Sequence, residues 1–337
     1  MPGVSILKSN WQVINKLMRH RNFLIIPVLI ISCAAAVARP DKHKAKGDDQ
    51  EVERTTAADP KVVLSVCLGS GNITVHGWDR NQVHARMSDG MQIEFQPSAS
   101  GNSAPPKELS LGMSNGQPGL SKRCLPFGSL ELDVPREATV NVQGGDAEIN
   151  ASGVAKVSIN TQNGAVTVER ATGAVNVNTL GGEITVGNSQ GPIKVHSVGG
   201  TIEVHDVSPR VPEDVCEVGN VGGDITLAQI AHSQVKVNTV GGDVDFSGVL
   251  ARGGRYNFQT ISGDLSLTLP PDSSFRLNAT LQGEVDSDFP LKSSSPSVDE
   301  TDSDRRHLPQ QIEGTYGTGD ALITLSSFNG SIQLRKK

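Results

Sequence analysis

A Gly-Gly-acidic-apolar signature recurs along the chain, and this repeat constrains the fold more than any other feature of the sequence. Its second glycine returns roughly every 18–23 residues between Gly145 and Gly283. A repeat of this length predicts stacked, similar structural units rather than a single irregular core. Clear copies stand at 181–184, 199–202, 222–225 and 241–244, and weaker copies at 144–147, 262–265 and 282–285.

Within the most regular stretch the glycine period halves to nine residues, and each unit holds one short alternating strand such as Ile184-Thr185-Val186. Side chains two residues apart lie on the same face of a strand, so the aliphatic residues point one way and the polar residues the other. Two strand-turn units per coil predict an all-β fold, a two-sided parallel β-solenoid with coils of about 18–20 residues. The nine-residue glycine series is Gly164, Gly173, Gly182, Gly191 and Gly200.

Two further columns keep the register of the signature. The position three residues before its second glycine is a hydroxyl or amide residue, and such a column can hydrogen-bond from coil to coil. The next position is mostly apolar. The polar column is Thr161, Thr179, Ser197, Asn220, Thr239, Thr260, Thr280 and Ser327, and the apolar one is Leu180, Val198, Val221, Val240, Ile261, Leu281 and Phe328.

Composition divides the chain into three parts. Residues 1–38 are predicted to be a signal peptide or membrane anchor, 39–60 a polar linker, and 61–337 the solenoid domain. Irregular loops are expected near 97–123 and 293–313, which are rich in Ser, Pro and charge. The closing residues 335–337 (RKK) are expected to keep an end coil soluble.

The apolar run 23–38 follows four basic residues, which is the charge layout of an export signal. Three outcomes stay open: cleavage after Ala38, lipidation of Cys33 in a lipobox-like sequence, and an uncleaved anchor, although sixteen residues are short for a membrane span. All three predict an exported protein in the periplasm or at the cell surface, tethered to the membrane at most through its N-terminus.

Charge argues against a nucleic-acid partner. The chain has a formal net charge of −6, and loss of 1–38 with its four basic residues lowers this to −10. No basic stripe is left that could track a phosphate backbone.

Cysteine usage fits an oxidising compartment. Cys67, Cys124 and Cys216 lie outside the leader. Cys67 and Cys124 are the preferred disulfide pair because they bracket the irregular loop, and Cys216 is then the spare thiol. Their spacing does not match a zinc site.

The acidic slot of the signature is the sharpest candidate site, held by Asp224, Asp243, Asp264 and Glu284 on successive repeats. Two interpretations stay open. The carboxylates could form a ladder that binds calcium, which prefers oxygen ligands. The favoured interpretation is that each carboxylate accepts backbone N–H groups in its own turn, since Ala165 and Thr201 interrupt the ladder.

Two histidines and Trp78 give no cofactor site. His196 and His205 lie nine residues apart, hence on different strands, and are predicted to face solvent. Trp78 is predicted to cover the end of the first strands or to lie in their core. No cofactor is expected.

The recurring GGDI units, the opening GSGNITVHGWD (69–79) and the closing segments 317–325 and 328–334 resemble the bacterial DUF4097, or "putative adhesin", family of β-solenoid-like domains. The resemblance covers residues 61–337. It implies a surface or envelope role and brings no catalytic residues with it.

The functional hypothesis is a non-enzymatic envelope protein, an adhesin-like binding or scaffold module whose partner is an envelope protein or polysaccharide. A structural polymer assembled end to end, and hence self-association, is the alternative. A polysaccharide-acting β-helix enzyme fits less well, because such enzymes need paired carboxylates at one unique place. Here the acids follow the repeat.

Overall fold

A computed structural model describes residues 51–97, 105–113, 124–293 and 310–337. Every regular element in these ranges is a β-strand, and the strands form one mostly parallel sheet. This confirms the all-β solenoid. Within the same ranges, no helix has the length and apolarity to cross a membrane; the predicted leader, Cys33 and most of the predicted linker lie outside them.

The regular coils alternate between two faces, both of which start from β7 Thr139–Ser152. The first face continues with β8 Lys156–Thr161, β10 Val175–Thr179, β12 Ile193–Ser197, β14 Val215–Gly219, β16 Gln234–Asn238 and β18 Arg255–Ser262. The second face continues with β9 Val166–Glu169, β11 Ile184–Gly187, β13 Ile202–Val207, β15 Ile225–Ile230, β17 Val244–Ser247 and β19 Leu265–Leu269.

The register of the coils follows the sequence repeat. On the first face Val177 pairs in parallel with Ile159 and Val195, one repeat away on each side. On the second face Val186 pairs likewise with Val168 and Val204. All of these side chains are fully buried between the faces. Stacking therefore creates one continuous aliphatic core, which no single strand of four or five residues could bury alone.

At the N-terminal end the coils are out of sequence order. Strand β2 lies between β7 on one side and β5 and β6 on the other, all parallel to it. Antiparallel strands then cover the outer coil: β3 pairs with β6, β1 with β3, and β4 with β5. The bounds are β1 Val52–Ala57, β2 Val63–Trp78, β3 Gln82–Met87, β4 Ile93–Pro97, β5 Glu108–Met113 and β6 Gly128–Pro135.

The C-terminal end repeats this arrangement. The coil β24–β25, last in sequence, lies between coil β18–β19 and coil β20–β21. Antiparallel β23 covers the outer edge of β20 and also pairs with β22. The bounds are β20 Phe275–Leu281, β21 Val285–Ser287, β22 Lys292–Ser293, β23 Gln310–Tyr316, β24 Ala321–Asn329 and β25 Ile332–Lys336.

The prediction that residues 335–337 close the stack as an end coil is therefore wrong. Because β23 occupies the outer edge of β20, the edge of β20 that faces β18 is left for β24. The physical end of the stack is coil β20–β21, under its antiparallel cover.

Three predicted irregular segments contain strand residues. Residues 108–113 lie inside the loop expected over 97–123, yet they form β5, with Leu109 and Leu111 buried on alternate positions. Strand β1 lies inside the linker expected over 39–60 and pairs with β3. Strands β22 and β23 also enter the predicted 293–313 loop, whose remainder lies outside the described residues.

Cys67 of β2 and Cys124 form a disulfide with a Cα–Cα distance of 4.5 Å. It joins the second coil of the stack to the segment leading into β6. Cys216 is free and buried in the core, and burial raises the pKa of its thiol to about 12. A thiol in that state has almost no nucleophilic thiolate at neutral pH, so Cys216 serves as a small core residue.

The second glycine of each signature lies where neighbouring coils approach most closely. Gly223 has a φ of +106°, and a Cβ atom there would overlap the carbonyl oxygen of Gly200 on the neighbouring coil. Gly242 has the same relation to Gly223. The repeat keeps glycine at this position for two reasons, left-handed backbone and the absence of space for any side chain.

Substitution of Gly223 by Ala should destabilise the protein by several kcal/mol, because the methyl group meets neighbouring backbone that cannot move independently. Gly253→Ala is the matched control: Gly253 also has a positive φ, +69°, but a methyl group there would have no neighbouring atom within 4 Å. It should cost only about 1 kcal/mol. Thermal melting compares the two, and equal losses would contradict the close-approach explanation.

His232 is a fully buried titratable group of the core. Its Nε2 donates to the carbonyl oxygen of Gly191 at 2.8 Å, and its Nδ1 is buried with no hydrogen-bond partner among the described residues. Burial lowers the pKa of His232 below its usual 6.5, against weaker opposing effects of the Gly191 hydrogen bond and Asp214. The folded protein therefore holds this imidazole neutral.

Stability should consequently fall on acidification. The unfolded chain binds a proton at His232 near pH 6.5 whereas the folded chain resists it, so this stabilisation is full above pH 6.5 and declines below it. Melting temperatures from pH 7.5 to 5 should decrease, and His232→Phe should reduce that slope. His196→Gln is the comparison, since burial lowers the pKa of His196 too but this residue is only half-buried. An unchanged slope in His232→Phe would refute the assignment.

A candidate interaction surface at the glycine corner

The signature forms the corner where the chain passes from the first face to the second. Corners of successive coils stack in register through parallel backbone bridges that link Gly199 to Gly222, Gly222 to Gly241, and Gly241 to Ser262. Any position of the signature therefore recurs along a straight column at the inter-strand spacing of about 4.8 Å.

The predicted polar column is present and points inward. Thr179, Ser197 and Asn220 are at most 6 % exposed. The hydroxyl groups of Thr179 and Ser197 donate to carbonyl oxygens of their own corners, at 2.7 and 2.8 Å. Asn220 bridges coils, since its amide donates both to Gly223 and, at 2.8 Å, to Gly200 of the preceding coil. Where these bonds form, the column fixes the corner and in places ties it to its neighbour, whereas the buried hydroxyl of Thr260 has no partner among the described residues.

The residue that follows each polar residue points outward, and on six stacked coils it is apolar. We call this row the apolar ladder. Its side chains are 46–60 % exposed, and among the described residues no other position of the coil repeats large exposed apolar side chains in this way. The ladder consists of Leu180, Val198, Val221, Val240, Ile261 and Phe328.

The predicted register is wrong by one residue at the coil that ends the stack. Leu281 pairs opposite Ser327, so it lies in the inward column and is buried. Thr280, which the repeat places in the inward column, pairs opposite Ser326 and is exposed. The register moves because β20 carries its own strict alternation from Phe275 onward, and that alternation sets which side chains enter the core.

The outward positions beside the ladder are polar. On the first face Lys194 and Glu217 of neighbouring coils form an ion pair at 3.6 Å, and the amide of Asn178 donates to Asn160 at 3.1 Å. The ladder thus interrupts a hydrophilic surface. Core formation does not require aliphatic residues there, and an exposed apolar row on a soluble surface typically marks an interaction site.

The acidic slot follows the corner glycines, and its carboxylates accept backbone N–H groups of neighbouring corners. Asp224 Oδ1 accepts the backbone N–H of Asp243 at 2.9 Å, Asp243 Oδ1 accepts that of Asp264 at 2.8 Å, and Asp264 Oδ1 accepts that of Ser331 at 2.6 Å. The expectation that each carboxylate serves its own turn is wrong, because each reaches the corner of the next coil.

Glu284 does not continue the predicted ladder of four acids. Coil β24–β25 separates Glu284 from Asp264, and Ser331 occupies the intervening slot. Among the described residues, no group of three or more His, Cys, Asp or Glu residues is arranged to hold a metal ion. Each of the three remaining aspartates also commits one oxygen atom to a backbone N–H.

Replacement of Asp243 by Ala should lower stability by about 1 kcal/mol, since the N–H of Asp264 loses its acceptor, whereas Asp243→Asn retains an oxygen at the same place and should cost less. Calcium added to the wild type should produce no binding heat and no melting shift. Calorimetry and thermal melting measure both, and a calcium-dependent shift that Asp243→Asn abolishes would contradict the capping role.

The two histidines singled out from the sequence lie on different faces, His196 on β12 and His205 on β13, and both are half-buried rather than freely solvated. His205 Nε2 lies 3.8 Å from Glu169 Oε1, and its Nδ1 lies 3.1 Å from Asp206 Oδ2. Trp78 ends β2, is half-buried and donates its indole N–H to the carbonyl oxygen of Gln82 at 2.8 Å.

A groove of about 380 Å³ crosses β20, β23 and β24 and is lined by Arg276, Asn278, Glu313 and Thr315, among others. Glu313 is the one carboxylate in its lining among the described residues. Glycoside hydrolysis generally uses two carboxyl groups that flank the scissile bond, and the described part of this groove lacks the second.

Comparisons with known proteins give distant likenesses. No family model and no curated protein matches the chain. A "putative lipid binding protein" from Parabacteroides distasonis is 9 % identical with a TM-score of 0.36, covering 87 % of this chain and 98 % of its own. A "putative adhesin" from Bacteroides fragilis is 12 % identical with a TM-score of 0.31, covering 84 % and 96 %.

A further "putative adhesin", from Parabacteroides merdae, is 12 % identical with a TM-score of 0.33, covering 66 % of this chain and 91 % of its own. Several of the structures similar to this chain are thus named as adhesins. Their identities and TM-scores are too low to carry an argument, and the DUF4097 resemblance stays a prediction.

Proposed function

We propose that this protein is an exported, non-enzymatic, adhesin-like binding module of the cell envelope, and that it binds its partner through the apolar ladder. The observation that carries the proposal is the recurrence of half-exposed aliphatic or aromatic side chains at one outward position of six stacked coils. A single exposed apolar residue needs no explanation, whereas a contiguous row does.

The solenoid suits this role because it is rigid and repetitive. The backbone that carries the ladder is fixed by hydrogen bonds from the inward polar column and by backbone bridges between corners. The Cα positions of the rungs are therefore set before a partner arrives, which reduces the ordering cost of binding. The export signal predicted for residues 1–38, through cleavage, lipidation of Cys33 or anchoring, is the basis of the proposed envelope location.

End-to-end assembly into a polymer is less well supported. Polymerisation needs exposed parallel edges at both ends of the stack. The outer N-terminal coil is covered by antiparallel β3 and β4, and the outer C-terminal strand β20 by antiparallel β23. Except at the three-residue strand β21, a second chain would have to pair with covering strands that do not repeat the register of the coils.

The full chain immobilised on a resin should retain a component of isolated envelope protein or polysaccharide. The triple variant Val221→Thr, Val240→Thr, Ile261→Thr keeps β-branched residues and adds polarity, and it should reduce retention at least tenfold, since each rung loses roughly half to one kcal/mol of apolar burial. Val211→Thr with Val249→Thr is the control, because both residues are exposed and lie off the ladder.

Equal retention by the ladder variant and the control, or no retained component in either envelope fraction, would refute the proposed function. Melting temperatures of both variants should stay near that of the wild type, since all five positions are exposed.

A further inference from the structure

We propose that the occupant of the apolar ladder is an amphipathic α-helix of another polypeptide that lies along the stack axis. Its Lys- or Arg-rich edge is turned toward the acidic column, by which we mean the stacked acidic slots of Glu183, Asp224, Asp243 and Asp264. This inference rests on the proposed function and names the class of partner. It follows from three properties of the corner: the spacing of the rungs, the hydrogen bonds that their backbone carbonyl groups already accept, and the charged residues beside them.

Spacing favours a helix over a strand. The rungs repeat at about 4.8 Å, so six rungs span about 24 Å. An α-helix presents one apolar residue to a fixed face about every 5.3 Å, and about 16 residues cover 24 Å. A strand presents one about every 6.8 Å, and so loses register with the ladder after roughly two rungs.

The backbone of the ladder excludes strand addition. The carbonyl oxygens of Leu180, Val198, Val221 and Val240 each accept an N–H of the next corner, at 3.0, 2.9, 2.8 and 2.8 Å. β-Augmentation requires a free row of backbone donors and acceptors, whereas a helix in an apolar groove binds through side chains alone. The carbonyl oxygens of these four rungs are therefore already used within the stack.

A strip without side chains runs beside the ladder. Gly181, Gly199, Gly222 and Gly241 follow four of the rungs directly, and the acidic slot begins two residues later. The strip separates the apolar side chains from the carboxylates by at most about 10 Å along the chain. A helix seated on the rungs can place its flanking side chains over this strip.

Charge sets the orientation and the chemistry of the helix. Exposed Glu183, Asp224 and Asp243 line the far side of the glycine strip, while the near side of the ladder carries uncharged amides such as Asn178 and Asn238. Asp224 and Asp243 are exposed, and each uses one carboxylate oxygen to accept a backbone N–H. Lys or Arg on one flank of the helix complements this column, and acidic residues there oppose it.

The same acidic column disfavours two other occupants. An anionic membrane surface is repelled by it. A second copy of the chain with its ladder antiparallel brings two acidic columns onto the same side of the interface, where they repel each other. Both remain outcomes of the test.

The probe is an 18-residue synthetic peptide with Leu at heptad a and d positions and Lys along one flank. Titrated into the full chain and followed by fluorescence anisotropy and circular dichroism, it should bind and gain helix. The triple variant Val221→Thr, Val240→Thr, Ile261→Thr should weaken its Kd at least tenfold, and Val211→Thr with Val249→Thr should leave it unchanged. An alternating peptide of the same composition, with its Leu residues at every second position as on one face of a strand, should bind at least tenfold more weakly.

A second set of variants tests the role of charge. The double variant Asp224→Asn with Asp243→Asn removes two negative charges and keeps both oxygen atoms that accept backbone N–H groups. It should weaken binding several-fold and reduce its dependence on salt, and replacing the Lys residues of the peptide by Glu should abolish binding. Equal binding of the alternating peptide, or of the Glu peptide, would overturn the proposal. Binding that the ladder variant leaves unchanged would do the same.

The controls separate this inference from the proposed function. If retention of an envelope component requires the ladder but the helical peptide does not bind, the helix is wrong and the binding function stands. If neither depends on the ladder, both fail. A ladder-dependent dimer in sedimentation, or ladder-dependent binding to phosphatidylglycerol vesicles without peptide binding, would assign the surface to a second copy or to lipid instead.

Discussion

The close approach of backbone to backbone at the glycine corner is the constraint on which the rest of this structure depends. Each coil can pair with the next only if the corner fits within the spacing of about 4.8 Å, and a Cβ at Gly223 or Gly242 would overlap the neighbouring carbonyl group. Once the corners stack, every other position of the signature is placed in a column. The hydroxyl column, the apolar ladder and the carboxylate caps are consequences of that one fit.

The same repetition explains why the carboxylates follow the sequence repeat. A carboxylate at the slot of Asp224 meets the backbone N–H of the next corner, so its position is useful for stacking wherever it occurs. Where the slot holds Thr201 or Ser331 the corner keeps its place through its bridges and inward hydroxyl group. The acid is an added support, which is why its absence from some coils is tolerated, and its unused oxygen still contributes to the field along the corner.

The coil length, the inward and outward alternation and the strand pairing of residues such as Val177 could be predicted from the sequence, because each follows from a period that is visible in every repeat. The order of the coils could not. Whether β24 pairs next to β20 or outside it depends on which edge β23 covers, and no local pattern records that choice. The shift of one residue at Leu281 could not be predicted from the repeat either, because the alternation of β20 sets which of its side chains enter the core. The apolar character of Val221 was visible, but its role required combining it with the inward position of Asn220 next to it.

Covered ends and an open corner together determine how such a solenoid can interact. At both ends the coil nearest the chain terminus lies one coil inward, β2 inside β5–β6 and β24–β25 inside β20–β21, and antiparallel strands pair with the outer edges of β5, β6 and β20. Along the corner the carbonyl oxygens of four rungs accept backbone N–H groups as well. What remains is a row of side chains at fixed spacing, and recognition there must be by packing and charge rather than by extension of the sheet. The proposed binding partner would then be selected by the period of its own apolar residues, which is a property of secondary structure, and by the sign of its flanking charge.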